Sequence, residues 1–135
     1  MKLNNNQQRG KDLESRMTRY LQNQGFWVHF MHPAPDGSQP FDLLALNGDH
    51  LSLQILAVDC KTLDGKRFPL DRVEDNQRMA FEALNKRGID ATYFAIEMEY
   101  NIIHLVQSQR IMQAIDQGLK SINVEENTYV RICIE

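Results

Sequence analysis

One stretch of the chain, residues 51–61, constrains the fold more than any other. It reads LSLQILAVDCK, an apolar and largely alternating run that ends in two charges. Side chains of a strand point to alternate faces, so residues two apart share a face. The pattern therefore predicts a buried strand on which Ala57, Asp59 and Lys61 share one face. Val58 and Cys60 point to the other.

A second apolar run, residues 41–46, lies just upstream and carries Asp42 near its start. The two runs are joined by residues 47–50 (NGDH), and Asn-Gly between apolar runs is a strong hairpin signal. A hairpin brings the start of the first run beside the end of the second. We therefore expect Asp42 to lie close to Asp59 and Lys61, at one edge of a small sheet.

Two carboxylates and an ammonium group that converge in this way are typical of metal-dependent phosphodiesterases. A divalent ion neutralises charge on the phosphate and activates water. Mg²⁺, or Mn²⁺ in its place, prefers oxygen ligands, which Asp42, Asp59 and the main-chain carbonyl of Cys60 would supply. Lys61 would orient the attacking water and stabilise the transition state. Taken alone, an Asp-x-Lys pair is common and also fits a surface charge pair at the end of a strand.

A helix is expected before the hairpin, from about residue 7 to residue 24. Its apolar residues recur at three- and four-residue spacing, and Gly25 follows it. The position of Glu14 in the sequence places it next to the apolar face of this helix. Two interpretations remain open: an ion pair with Arg16 or Arg19, or a catalytic acid that points at the site.

A second helix is expected after the hairpin, over residues 72–87. Asp71 and Glu74 have the spacing of a capping box, and Gly88 follows the last turn. Gln77 lies on the apolar face of this helix. A buried amide without a partner costs on the order of 1–3 kcal/mol. Gln77 is therefore either bonded to neighbouring backbone or aimed at the metal and its waters.

The rest of the chain is interpreted as scaffold and subunit interface, because it holds no convergent catalytic residues. Further strands are predicted at residues 26–32, 91–98, 102–106 and 127–135, and a short helix at 109–119. Residues 1–6 are polar and are expected to form a disordered tail. Residues 7–135 are then a single domain.

The composition of the 135 residues, 42% hydrophobic and 24% charged, is that of an ordinary globular protein. No apolar run approaches the roughly 20 residues that span a bilayer, and the polar start lacks a signal-peptide core. We therefore expect a cytoplasmic protein with no membrane partner. Cys60 and Cys133 are too few for a disulfide scaffold or a zinc site. The net charge of −3 permits a nucleic-acid enzyme without pointing to one.

Basic side chains are the candidates for contacts with DNA phosphates, which position a protein on nucleic acid. They lie on the first helix, in the polar loop after the core strand and at the start of the second helix. The candidates are Arg9, Lys11, Arg16, Lys66, Arg67 and Arg72.

These residues resemble a known superfamily. Asp42 followed by Asp59-Cys60-Lys61 is similar to the signature of the PD-(D/E)xK nucleases. The flanking sequence is similar to the RecU-type Holliday-junction resolvases over residues 9 to 97. The matching pieces are Arg9-Gly10 before Leu13-Glu14, the HPAP break at 32–35, Phe68-Pro69-Leu70, and Gln77.

The resemblance implies an α/β protein of the restriction-endonuclease-like fold, with a mixed central β-sheet flanked by helices. It implies a Mg²⁺-dependent endodeoxyribonuclease that acts as a homodimer and nicks four-way DNA junctions symmetrically in recombination and repair. The acidic ligands of the family fall on Asp42 and Asp59. Its metal-site Gln falls on Gln77 and its catalytic Lys on Lys61.

The chain departs from the family at three places. Phe41 stands where the family has Thr, and Asp59 stands where it usually has Glu. Too few residues lie between Pro35 and Asp42 to form the stalk that family members insert into the junction. We interpret the chain as a compact, phage-encoded version of the enzyme.

Two alternatives stay open: a restriction-like or repair nuclease on other DNA structures, and a nuclease fold that has lost its chemistry and only binds. The expected dimer contact is either the first helix with Leu13, Tyr20 and Leu21, or the strand 26–31 with Trp27 exposed.

Overall fold

The computed structural model describes residues 4–36, 38–49 and 51–135. The part of the expected N-terminal tail at residues 1–3 lies outside this range, as does His50 of the expected turn. The helices and strands, in chain order, are α1 (Asn5–Asn23), β1 (Trp27–Phe30), β2 (Leu43–Gly48), β3 (Leu53–Thr62), β4 (Arg67–Pro69), α2 (Asp75–Lys86), β5 (Thr92–Glu99), β6 (Ile102–Gln107), α3 (Ser108–Asp116), β7 (Ser121–Asn123) and β8 (Val130–Cys133).

Six of the strands form one mixed sheet in the order β1-β2-β3-β5-β6-β8. Neighbours are antiparallel except β3 and β5, which run parallel. The connection from β3 to β5 carries α2, as a crossover between parallel strands requires a long segment. The short strands β4 and β7 pair separately in an antiparallel sheet.

The two faces of the central sheet are covered by different elements. On one face lies α1, which buries Leu13, Met17 and Leu21 at helical spacing against the sheet. The opposite face is covered by α2, α3 and the small sheet, around a core that includes Phe81 and Phe94. Consecutive β3 residues therefore enter different cores, and the alternation predicted for this strand is confirmed. None of the helices in the described ranges is long and apolar enough to cross a membrane.

The β2–β3 hairpin forms as predicted, but its turn lies further along the chain. Asn47 and Gly48 still belong to β2, and the chain reverses over residues 49–52. Asp49 Oδ1 accepts hydrogen bonds from the main-chain N–H groups of Leu51 and Ser52, at 2.8 and 3.1 Å. The Asp side chain organises the turn, which is why the Asn-Gly pair is not its centre.

Both predicted helix starts are wrong, because side-chain caps override the hydrophobic pattern. Asn4 caps α1 and accepts from the Gln7 N–H at 2.8 Å, so the helix begins at Asn5 rather than Gln7 and takes up part of the expected tail. α2 begins at Asp75 because residues 70–72 form a 3₁₀ turn. Its capping box joins Glu74 to Gln77, not Asp71 to Glu74.

Candidate active site

The first predicted site residue, Asp42, lies just before β2 and continues its pairing with β3. Its N–H donates to the carbonyl of Val58 at 3.1 Å. Its carboxylate then turns toward β3, where Oδ2 accepts the Cys60 N–H at 2.7 Å. The predicted proximity of Asp42 to the end of the second strand is confirmed.

Asp59 and Lys61 share a face of β3, as their spacing predicts. Lys61 Nζ lies 3.1 Å from Asp59 Oδ2. The Asp59 side chain is buried, with 1% of the residue exposed, and Oδ2 accepts no well-directed hydrogen bond from any described residue. Burial, and then the charge of Asp42, raise the pKa of Asp59 well above its usual range, although the Lys61 ammonium opposes this.

Glu14 reaches the same cleft from α1. It is partly buried, and burial followed by the hydrogen bond and charge of Asp42 raises its pKa to about 7. Neither Arg16 nor Arg19 forms an ion pair with Glu14. Of the two interpretations of Glu14, the structure therefore favours an acid at the site.

One cleft between α1, the hairpin and the start of α2 holds every predicted catalytic and metal-binding residue. Lys11 opens onto this cleft as well. Its lining consists of Gln7, Gly10, Lys11, Glu14, Gln39, Asp42, Asp59, Cys60, Lys61, Glu74 and Gln77.

Gln77 is buried at the cleft, but its amide oxygen is already engaged. Oε1 accepts the N–H of Glu74 at 3.2 Å, which closes the capping box at the start of α2. The predicted bond to neighbouring backbone is therefore the observed one. A direct metal contact through Oε1 would compete with this cap.

Cys60 contributes to the cleft through its main chain. Its thiol points into the core under α1, where burial raises its pKa and keeps it protonated. In an extended strand the N–H and C=O of one residue leave on the same side. The Cys60 carbonyl therefore faces the side on which Asp42 accepts its N–H, beyond the end of β2.

The donor set fits a hard divalent cation. No three side chains of His, Cys, Asp or Glu within the described residues form a preassembled metal cluster. Mg²⁺ does not need one, because it keeps several waters and uses one or two carboxylates. The acidic groups of Asp42, Asp59 and Glu14 crowd one cleft, and among the described residues the buried Asp59 Oδ2 has the Lys61 ammonium as its one cationic partner. A divalent cation would balance that charge and occupy that oxygen.

The residues predicted to contact DNA lie in two environments: one is partly buried, and the others are exposed. Arg16 is internal: it pairs with Glu97, bonds Asn101 Oδ1 at 2.8 Å and lies 4.3 Å from the ring centre of Tyr100. A buried carboxylate 81 positions away thus holds Arg16, and its contact with DNA phosphate stays a prediction.

The other five basic candidates remain on the surface. Lys11 lies at the cleft and Lys66 beside a separate cavity. The remaining three hold protein partners: Arg9 pairs with exposed Asp64, Arg67 bonds Ser121, and Arg72 donates to the Thr62 carbonyl.

Two polar residues linked to Asp42 were not singled out from the sequence: Gln39, which lines the cleft, and Asn76, which bonds to Gln39. Gln39 Nε2 donates to Asp42 Oδ1 at 2.5 Å, and Asn76 Nδ2 donates to the main-chain carbonyl of Gln39. Gln39 lies in an irregular segment between β1 and β2, where no periodicity marks which side chains turn inward. No sequence signal identified either residue.

No known family model matches the sequence, and neither does any curated protein. Among solved structures, the chain is similar to Hjc, a Holliday junction resolvase of the archaeal hyperthermophile Archaeoglobus fulgidus. The sequence identity is 17%, the TM-score is 0.57, and the match covers 75% of this chain and 74% of the other. At this identity the likeness establishes the fold alone. The predicted α/β fold, a mixed central sheet flanked by helices, is confirmed.

Proposed function

We propose that this protein is a divalent-metal-dependent endodeoxyribonuclease that resolves branched DNA, with Holliday junctions as its substrate. The observation that carries the proposal is the buried Asp59, which lies in one cleft with Asp42 and whose Oδ2 is 3.1 Å from the Lys61 ammonium. Burying a carboxylate beside a second one is costly for folding, whereas paired carboxylates are the ligands that metal-dependent phosphodiester hydrolysis uses. The shared fold with an archaeal resolvase supports the choice of substrate.

Asp42, Asp59 and the Cys60 carbonyl would hold a Mg²⁺ or Mn²⁺ ion. When bound, the ion supplies positive charge to the scissile phosphate and makes a nearby water more acidic. Asp42 is prepared for this role, since an N–H donates to each of its carboxylate oxygens and Glu14 contacts it from α1, which together fix its plane.

Lys61 supplies the second positive charge of the site. Its side chain is mostly buried, and Asp59 holds the ammonium group at the cleft, so little reorganisation is needed when charge develops on the phosphate. Lys61 would donate hydrogen bonds to the phosphate oxygens and to the attacking water.

In the metal-free chain, burial and the contact with Asp42 raise the pKa of Glu14 to about 7, so this carboxyl group is easily protonated and deprotonated. A group of that kind suits general acid–base catalysis. Glu14 would accept a proton as the nucleophile forms.

We propose a homodimer, because a four-way junction is two-fold symmetric and each chain carries one site. Of the two surfaces expected to mediate dimerisation, α1 is not available, since Leu13 and Leu21 are buried in their own chain. The edge strand β1 remains, where Trp27 is 59% exposed. Two-fold assembly through one such patch is the commonest arrangement for a homo-oligomer.

The deciding experiment incubates the full chain with a four-way junction, a flap and a linear duplex of the same sequence, with Mg²⁺, with Mn²⁺ and with a chelator. We expect metal-dependent paired nicks on the junction and none from the Asp59→Asn variant. Preference for the flap or the duplex would favour the repair-nuclease alternative. DNA binding without cleavage in either metal would indicate a nuclease fold that only binds DNA.

A further inference from the structure

Two N–H donors hold the carboxylate of Asp42, which Glu14 also contacts from α1. Oδ2 accepts the main-chain N–H of Cys60 at 2.7 Å, and Oδ1 accepts Gln39 Nε2 at 2.5 Å. The first bond comes from β3 itself. The second comes from a segment without regular structure, so the rotamer of Asp42 depends on how that segment is held.

Gln39 is held by α2. Asn76, in the first turn of that helix, donates its side-chain N–H to the main-chain carbonyl of Gln39. Two residues further along the chain, Phe41 stacks on Phe81 of the same helix, with ring centres 5.7 Å apart. One hydrogen bond and one aromatic contact thus fix this short segment against α2.

The direction of the Gln39 side chain distinguishes it from an ordinary loop residue. Gln39 lines the cleft together with Asp42 and Lys61, and its amide faces a carboxylate rather than solvent. An ionised carboxylate only accepts hydrogen bonds, so the amide must present its nitrogen. Gln39 therefore orients Asp42 without providing a ligand from that nitrogen.

We propose that Gln39, held by Asn76, is a positioning residue that fixes Asp42 for binding a divalent cation. The inference rests on the proposed function, because it takes Asp42 to be a metal ligand. Groups that hydrogen-bond to metal ligands typically change metal affinity 10- to 100-fold when they are removed. Asn76 acts through Gln39, so its loss has a smaller effect in the same direction.

The test measures Mn²⁺ binding to the metal-free full chain by calorimetry, without DNA. Gln39→Met keeps the side-chain length and removes the donor, and we expect it to weaken Mn²⁺ binding at least about 10-fold. Asn76→Ala should weaken binding less, and the double variant no more than Gln39→Met alone. Gln22→Met, an exposed site on α1, is the matched control and should bind as the wild type does.

A second readout separates positioning from general destabilisation. Raising the Mn²⁺ concentration should restore kcat of Gln39→Met for junction cleavage, because the catalytic groups are intact and only occupancy is lost. If Gln39→Met does not fold, Asn76→Ala alone tests the inference. Wild-type Mn²⁺ affinity in every folded variant would overturn the positioning role and leave the proposed function standing. A wild-type chain that binds no Mn²⁺ would overturn both.

Discussion

At the scale of single residues, the cleft buries an acidic group that folding alone would leave exposed to solvent. Asp59 is buried beside a second carboxylate, and its pKa is raised first by burial and then by Asp42. Its neighbour Lys61 is the one ammonium within hydrogen-bonding distance among the described residues. This arrangement lowers the free energy of unfolding, and its charge pattern suits the proposed phosphodiester chemistry. Perturbed pKa values of this kind are common at catalytic sites.

Lys61→Ala should lower cleavage of junction DNA by at least about 100-fold, because it removes a preorganised positive charge from the transition state. DNA binding should be nearly unchanged, since a mostly buried ammonium adds little to docking. Single-turnover cleavage and fluorescence anisotropy measure the two quantities. Parallel losses of binding and cleavage would contradict the assigned role.

Glu14 makes the stability of the metal-free protein depend on pH. Its pKa is raised from 4.5 to about 7, so the folded state holds a proton that the unfolded state releases. The favourable contribution is complete below pH 4.5 and is lost as the pH rises to about 7.

The free energy of unfolding of the wild type should therefore fall relative to Glu14→Gln over this range, by on the order of 1–3 kcal/mol. Urea unfolding in chelator at several pH values measures this. Glu126→Gln, at an exposed site away from the cleft, is the control. A constant difference between wild type and Glu14→Gln at all pH values would refute the linkage.

At the scale of elements, the β2–β3 hairpin determines the register that brings Asp42 to Asp59. Gly48 closes it with a φ of 148°, and a Cβ there would lie 2.0 Å from the carbonyl oxygen of Ser52. Gly65 also has a positive φ, 93°, but has open space around it. A substitution at Gly65 therefore tests backbone strain alone, whereas a substitution at Gly48 tests backbone strain together with a steric clash.

Gly65→Ala should cost about 1 kcal/mol of unfolding free energy from backbone strain alone. Gly48→Ala should cost at least about 2 kcal/mol more, because the turn must shift as well. Urea denaturation of both variants gives the comparison. Equal costs would show that the hairpin turn adapts without strain.

Helix α1 is tied to the sheet by Arg16, whose partner Glu97 is buried on β5. Arg16→Ala should destabilise the protein by about 1–3 kcal/mol, since Glu97 then keeps the Asn101 N–H as a partner but loses its counter-charge. Arg19→Ala, exposed on the same helix, should change stability by less than about 0.5 kcal/mol. Thermal and urea unfolding of the two variants test this.

The salt dependence of DNA binding should distinguish a basic residue of α1 that contacts phosphate from one that forms a structural ion pair. Lys11→Ala should reduce the slope of log K against log salt by about one, as expected for one phosphate contact. Arg16→Ala should leave that slope unchanged in conditions where it is folded. A reduced slope for Arg16→Ala would instead support the prediction that Arg16 contacts DNA phosphate.

At the scale of the whole molecule, the expected assembly is a two-fold dimer that makes paired nicks. The exposed Trp27 on the edge strand β1 is the proposed contact. Trp27→Glu should give monomers in sedimentation at micromolar concentration and single rather than paired nicks. Leu119→Glu, at another exposed apolar residue after α3, should leave the dimer intact. If the wild-type protein were monomeric both with and without junction DNA, the result would contradict the proposal of a dimeric resolvase.

The residues of the hairpin could be placed from the sequence because the relevant signals are local. A two-residue period assigns Ala57, Asp59 and Lys61 to one face, and a short connection fixes which ends meet. The same holds for the apolar stripe of α1. The mixed α/β fold followed from the resemblance together with these elements, and the shared fold of a solved resolvase confirms it.

Only the tertiary structure decided the contacts between distant segments. The Arg16–Glu97 pair, the turn of Glu14 toward Asp42, and the bond from Asn76 to the Gln39 carbonyl join segments with no common period. The engagement of the Gln77 oxygen in a cap is local, yet it depends on where α2 begins. Such contacts depend on the packing of α1 and α2 against the sheet, and packing geometry leaves no regular pattern in the order of the residues.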